Sequence, residues 1–193
     1  MRIFLAGASG VIGRRLIPRL IDAGHVVGGM TRSPDNTELL NELGAEPLLC
    51  DVFDRDALFR AMGDFKPDVV LNQLTDLPDE AERIGEHAER NARIRTEGTL
   101  NLIEAARHSG SPKIITQSVA WPLPDEADAR AVAELERSVI AEGGVVLRYG
   151  QFYGPGTYHE QRPPEEPRVH IDLAAERTVE ALHEPTGVIV VVD

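Results

Sequence analysis

Apolar and polar positions along the chain follow two rhythms. Short runs that are apolar at almost every position recur as Ile3-Phe4-Leu5, His25–Met30, Ala45–Cys50, Pro67–Leu71, Pro112–Ser118, Val145–Tyr149 and Gly187–Val192. Each is too short for a helix and suits a buried strand. Between them lie stretches with apolar residues at three- and four-residue spacing. These are Val11, Ile12, Leu16, Ile17 and Leu20, then Asp35–Leu43, a segment opening at Asp54, a long stretch Asp79–Ser109, Asp125–Glu142, and a last one from about His170. That spacing puts the apolar residues on one face of a helix. Strand and helix in strict alternation predict a doubly wound α/β fold, a parallel sheet with helices on both sides.

The junction of the first strand and first helix carries the most specific chemistry. Gly7, Gly10 and Gly13 stand at three-residue spacing in Ala6-Gly7-Ala8-Ser9-Gly10-Val11-Ile12-Gly13. Gly7 lets the chain reverse, Gly10 leaves room for a ligand at the backbone, and Gly13 lets the helix pack closely on the strand. The free N–H groups and positive end of that helix then suit a diphosphate. This predicts a dinucleotide site made by Gly7, Ser9, Gly10, Val11, Ile12 and Gly13.

The acidic residue that holds the ribose hydroxyls of NAD would lie near the end of the second strand. Thr31-Arg32-Ser33 takes that place, with no carboxylate before Asp35. Thr31 and Arg32 therefore predict NADP(H) over NAD(H), Arg32 meeting a 2′-phosphate. Stacking of Arg32 on adenine is the alternative, and an arginine standing in water the plain one.

Composition narrows the class. Of 193 residues 42% are apolar and 27% charged, with net charge −12 and pI near 4.9, which argues against nucleic acid. Only Lys66 and Lys113 among the 20 basic residues are lysines. The single cysteine, Cys50, cannot form an internal disulfide and suggests a reducing, cytoplasmic setting. No apolar stretch reaches the roughly 20 residues of a membrane span, and the N-terminus reads as the first strand rather than a signal peptide. The six histidines show no metal-ligand spacing with cysteines or carboxylates.

The glycine turn, Gly98-Thr-Leu-Asn-Leu-Ile-Glu-Ala-Ala106 and Tyr153-Gly-Pro-Gly156 together resemble the short-chain dehydrogenase/reductase superfamily, in its extended, epimerase/dehydratase-like branch. The similarity runs from residue 1 to 192. It implies a single NAD(P)-binding Rossmann domain over 1–193 and a homodimer through the long helix. It also implies adenine contacts at Asp51 and Val52, and a place beside the ribose and diphosphate for Gln73 and Leu74. Ser118 at the end of the fifth strand would hold the reacting group of a small carbonyl or hydroxyl substrate. Tyr149, next to the nicotinamide end, is counted among the cofactor contacts, with Tyr153 and Tyr158 as further hydroxyls. Asp51 can equally cap the next helix, and His170 and Asp172 read as scaffold.

Two features depart from the pattern. The superfamily's Tyr-x-x-x-Lys, which moves a proton, occurs nowhere in this sequence. Aligning Glu136 with the family's helix glutamate puts Asp128 where the tyrosine belongs and Val132 where the lysine belongs. Without an ammonium nearby, a tyrosine of the 149–158 turn should titrate near about 10. The region expected to cover the substrate, about 151–170, is short and proline-rich, so it reads as a loop. Either this region is small in the protein or the sequence is part of a longer one. These features leave two readings, an atypical NAD(P)-dependent oxidoreductase or epimerase/dehydratase-like enzyme, and a non-catalytic NADP(H)-binding sensor.

Overall fold

The computed structural model describes residues 1–78, 80–110 and 113–193. The expected starts of the long helix at Asp79 and of the fifth strand at Pro112 lie outside the described residues.

Seven strands form one parallel sheet: β1 (Arg2–Ala6), β2 (Val26–Thr31), β3 (Glu46–Leu49), β4 (Val69–Asn72), β5 (Lys113–Val119), β6 (Val145–Tyr149) and, pairing with β6, the last strand, Gly187–Val191. The spatial order is β3-β2-β1-β4-β5-β6 and then Gly187–Val191, the doubly wound arrangement expected from the alternation. Ile3 stands level with Val27 on one side and Val69 on the other.

Residues alternate between two cores because side chains alternate across a strand. Ile3 and Leu5 of β1 join Leu71, Ile115, Val145 and Leu147 beneath α1 (Gly13–Asp22) and the C-terminal helix Ile171–Glu180. Phe4 and Ala6 face the other way, with Val70, Ile114 and Val146. There they meet α2's successor α3 (Arg55–Phe65) and two further helices, Thr99–Ser109 and Glu126–Ala141. α2 itself, Thr37–Glu42, is shorter than the predicted Asp35–Leu43, a 3₁₀ turn at Pro34–Asn36 taking its first residues.

The predicted long helix is broken into pieces. A 3₁₀ segment at Ala81–His87 precedes α4 (Ala88–Arg93), a π turn at Ile94–Gly98, and α5 (Thr99–Ser109). The signature around Gly98 has a local cause. A Cβ at Gly98 would stand 3.2 Å from Cγ1 of Ile94 and 3.4 Å from Cγ1 of Val52, so Gly98 lies against the segment that follows β3. Asn101 then donates to the Val52 carbonyl at 3.0 Å, and Thr99 Oγ1 accepts from Asn72 at 3.2 Å. The motif ties α5 to the carboxyl ends of β3 and β4.

α6 (Glu126–Ala141) opens on an Asp125 cap that accepts from the N–H groups of Ala127 and Asp128. The expected substrate-side loop at 151–170 carries two short strands, β7 (Gln151–Tyr153) and β8 (Arg168–His170), paired in parallel. After β8 comes α7 (Ile171–Glu180), and β9 (Gly187–Val191) closes the sheet. His170 caps α7, while Asp172 pairs with Arg15 and Arg19 of α1, so both residues hold the scaffold.

Gly13 packs without clearance. A Cβ there would collide with the Gly7 carbonyl oxygen and stand 2.5 Å from that of Ala8, both backbone atoms. Replacing Gly13 with Ala should cost about 3 kcal/mol of stability, the upper end for overpacking. Urea unfolding of Gly13→Ala reads this as a lowered midpoint; an unchanged midpoint would mean the turn can give way.

Candidate functional site

At the carboxyl ends of β1–β4 the chain leaves an open cleft of about 390 Å³. The strand order reverses beside β1, because β2 lies on one side of it and β4 on the other, which is where ligands enter sheets of this kind. Gly7, at φ +86°, turns the chain at the cleft floor. A Cβ on Gly7 would lie 2.6 Å from the Gln73 carbonyl oxygen, so this position demands glycine on two counts. A Cβ on Gly10 would meet only the Gly7 carbonyl oxygen, at 3.2 Å, and otherwise open space. Among the described residues, the N–H groups of Val11 and Ile12 donate to no protein acceptor. They are the unsatisfied donors at the start of α1.

Gly7, Ser9, Gly10, Thr31, Arg32, Asp51, Val52, Gln73 and Leu74 all line this cleft. Thr31 Oγ1 accepts from the Ser33 N–H at 3.2 Å, which fixes the turn that carries Arg32. Asp51 accepts from the Phe53 N–H at 2.9 Å, whereas the cap of α3 is Asp54. Val11 and Ile12 are not among the residues that line the cleft; Ile12 turns its side chain into the core and Val11 packs against it. Gly13 lies beneath, against the strand.

Arg32 is not alone at the rim. Its guanidinium stands 3.6 Å from Asp76, a buried carboxylate that Arg90 already holds with two hydrogen bonds of 2.9 and 3.1 Å. The Arg32 side chain is 56% exposed and hydrogen-bonds nothing among the described residues, so it can turn toward a ligand. Sequence reasoning missed Asp76 and Arg90, and it also missed Met30, Phe53 and Ile94 on the cleft wall. Arg90 comes from α4 and Asp76 from the loop after β4, a pairing that no motif marks.

Two expected site residues are not among those that line this cleft. Tyr149 is buried among Ile171, Ala174 and their neighbours, and its hydroxyl donates to Thr178 Oγ1 at 2.6 Å. The direction follows because the Thr178 hydroxyl is itself donated to the Ala174 carbonyl. Gln73 Nε2 donates to the phenol at 3.2 Å, leaving Gln73 Oε1 without a partner. Burial pushes the Tyr149 pKa up to about 12, above the expected value near 10, despite hydrogen bonds to Thr178 and Gln73 that act the other way. Tyr153 is raised too, first by its hydrogen bond to Asp193. Tyr158 reaches across to the Pro78 carbonyl.

Ser118 is the second. Its hydroxyl donates to Glu136 Oε1 at 2.5 Å, and Arg148 grips the same carboxylate at 2.8 and 2.6 Å. Burial raises the Glu136 pKa, but the hydrogen bonds from Arg148 and Ser118 outweigh it and hold the group below the ordinary carboxylate range. Ser118 therefore spends its proton inside the protein. Glu136 and Arg148 also border a groove of about 320 Å³ between α6 and the Val119–Leu123 passage, with Trp121 and Val132 on its wall.

The NAD dependent epimerase/dehydratase family matches residues 3–128 of this chain. A 3-diazoavenalumate denitrifying reductase from a Streptomyces species is 38% identical over 180 residues, which cover 81% of this chain and 58% of that protein. A UDP-glucose 4-epimerase from Mycolicibacterium smegmatis is 30% identical over 123 residues, 61% of this chain and 38% of that one. The chain thus spans little more than half the reductase. Among solved structures, the UDP-glucose 4-epimerase of Thermotoga maritima with UDP-glucose superposes with a TM-score of 0.81 at 20% identity. It covers 100% of this chain and 77% of its own. The Thermus thermophilus enzyme in complex with NAD gives 0.79 at 21% identity, over 100% and 78%. These likenesses establish the fold.

Glu136→Gln should lower stability by about 2 kcal/mol at pH 7, the range for a hydrogen bond to a charged group. Because the folded pKa is depressed, the native advantage exists above the unfolded carboxylate pKa and disappears as pH falls through the folded one. Chemical denaturation of both proteins should show the gap narrowing as pH falls below the unfolded carboxylate range and closing only once the folded Glu136 is itself protonated. A gap that stays constant would show that the charge of Glu136 contributes nothing.

Proposed function

The chain belongs to the NAD-dependent epimerase/dehydratase family, and on that premise we propose that it is an NADPH-dependent reductase of a small electrophile. The observation that carries the reading is the glycine turn, with an open space above Gly10 and donor N–H groups at Val11 and Ile12. Those features fit a dinucleotide diphosphate, and Asp51, Val52 and Leu74 fit its adenine and ribose. Bound there, the cofactor would supply a hydride.

The protein's own part is binding and orientation. The turn's amides hold the diphosphate, and Arg32 takes the 2′-phosphate, for which its guanidinium is free to leave the long contact with Asp76. Gln73 is braced by Tyr149, and its buried amide oxygen has no partner among the described residues. Proton transfer is what this chain does not provide in the usual way. Asp128 and Val132 stand in place of tyrosine and lysine, and the hydroxyls of Ser118 and Tyr149 are committed to Glu136 and Thr178. Ser118 acts by positioning Glu136 rather than by touching substrate.

An acceptor that needs no proton from the protein suits such a site. The Streptomyces relative's name points to a diazo compound, whose dinitrogen leaving group departs without being protonated. Hydride addition to an arenediazonium ion breaks the C–N bond, forms C–H and releases N₂, with the dinucleotide oxidised. A homodimer through α5, which exposes Leu100, belongs to the same reading. The committed hydroxyls also favour a second reading, a cofactor-binding sensor without turnover.

Arg32→Asp should weaken NADPH at least tenfold more than NADH, about 1.4 kcal/mol of discrimination. Fluorescence titration with both cofactors measures it, and equal losses would assign Arg32 to adenine stacking or to solvent.

NADPH oxidation followed at 340 nm should proceed with benzenediazonium and fail with benzaldehyde, whose alkoxide product needs a proton. The rate should stay flat from about pH 6 to about pH 8, since no acid of the protein takes part. A bell-shaped profile with benzaldehyde as the better acceptor contradicts this chemistry, and tight binding with no turnover selects the sensor.

A further inference from the structure

Phe53 lines the cleft together with Asp51, Val52 and Ile94. Its N–H donates to Asp51 Oδ1 at 2.9 Å, which fixes the backbone that carries the ring. The side chain is only partly buried, and it packs against the core cluster that holds Val52 and Ile94.

One face of the ring is already taken. The Arg93 guanidinium lies over it, 4.0 Å from the ring centroid. Glu97 in turn accepts from Arg93 twice, at 2.7 and 3.0 Å. Two parallel hydrogen bonds of this kind fix the plane of a guanidinium. Glu97 belongs to the π turn Ile94–Gly98, which also supplies Ile94 to the cleft wall. Such turns inside helices are frequent at functional sites.

An arginine over a ring is not special in this chain. Arg2 lies over Phe65 and Arg55 over Phe59, yet neither ring lines a cavity described above. Phe65 is part of the core and Phe59 packs against it. What separates Phe53 is the cleft. An aromatic ring on such a wall offers apolar area and a π face, and nucleic bases stack on faces of that kind.

We infer that Phe53 is the platform on which the adenine base stacks, with Arg93 backing the opposite face of the ring. This rests on the dinucleotide reading for the ligand and adds the residues that grip its base. The cation behind the ring draws the negative quadrupole toward itself, which lessens repulsion between the ring and the π face of the base. Phe53 touches the cofactor. Arg93 acts through Phe53 and is a positioning residue, held in turn by Glu97.

The probe is adenosine 5′-monophosphate, which carries the base without the nicotinamide or the 2′-phosphate. Its H2 and H8 protons, followed by NMR, should move upfield on binding because they enter the ring current of Phe53, and those of NADPH should move the same way. Phe53→Tyr should keep the shift and hold NADPH affinity within about twofold, since stacking accepts either ring. Phe53→Leu keeps the apolar bulk and lacks the ring, so the shift should vanish and NADPH affinity fall about tenfold. Arg93→Gln should shrink the shift while thermal melting shows an unchanged fold. An upfield shift that persists in Phe53→Leu, NADPH affinity equal in Phe53→Leu and native protein, or no upfield shift with either ligand would overturn the platform. A shift of native size in Arg93→Gln would overturn the part given to Arg93. A shift of the monophosphate that depends on Phe53, in a protein that binds neither NADPH nor NADH, would uphold the platform and refute the dinucleotide reading.

Discussion

The structure depends on backbone meeting backbone at the end of β1. Gly13 of α1 lies on the carbonyls of Gly7 and Ala8, and Gly7 lies on the carbonyl of Gln73. Any side chain at these points would force strand, turn and helix apart. The close approach lets α1 begin directly above the strand ends, with its first N–H groups unsatisfied by protein. A diphosphate is the ligand that completes such a helix start, because it meets both the free donors and the positive end of the helix. The same contact brings β4's end, and with it Gln73, under the turn.

Around that point the carboxyl edge is held by polar ties. Asn72 bridges Thr99 and Thr116 at 3.2 and 3.1 Å, Asn101 holds the Val52 carbonyl, and Gln117 donates to the Leu74 carbonyl at 2.7 Å. Each tie satisfies groups that would otherwise be buried without partners. The cost is chemical freedom. The hydroxyls of Ser118 and Tyr149 are tied down as well, to Glu136 and Thr178. A fold of the epimerase/dehydratase family is thereby kept, with its cleft intact.

Much of this was legible in the residues. Strands buried on both faces have no polar alternation, so their existence and order of appearance could be read directly. Gly7 and Gly13 announced their places because only backbone fits at those points. The hydrogen bonds of Ser118 to Glu136 and of Tyr149 to Thr178 follow from strand parity. Tyr149 shares a strand face with Val145 and Leu147, which belong to the core under α1 and α7. Ser118 shares one with Ile114 and Thr116, toward α6. The break in the long helix was hidden, since α4, the π turn and α5 have the same three- and four-residue spacing. The Asp76–Arg90 pair is a property of packing.

The central claim is that the glycine turn holds the diphosphate of a bound NADPH. Isothermal titration of NADPH into the native protein and Gly10→Val tests it most directly, with thermal melting as a control for folding. The account predicts saturable binding to the native protein and a loss of well over tenfold in the variant, about 1.4 kcal/mol or more. Unchanged NADPH affinity in a folded Gly10→Val protein would contradict it and place the site elsewhere.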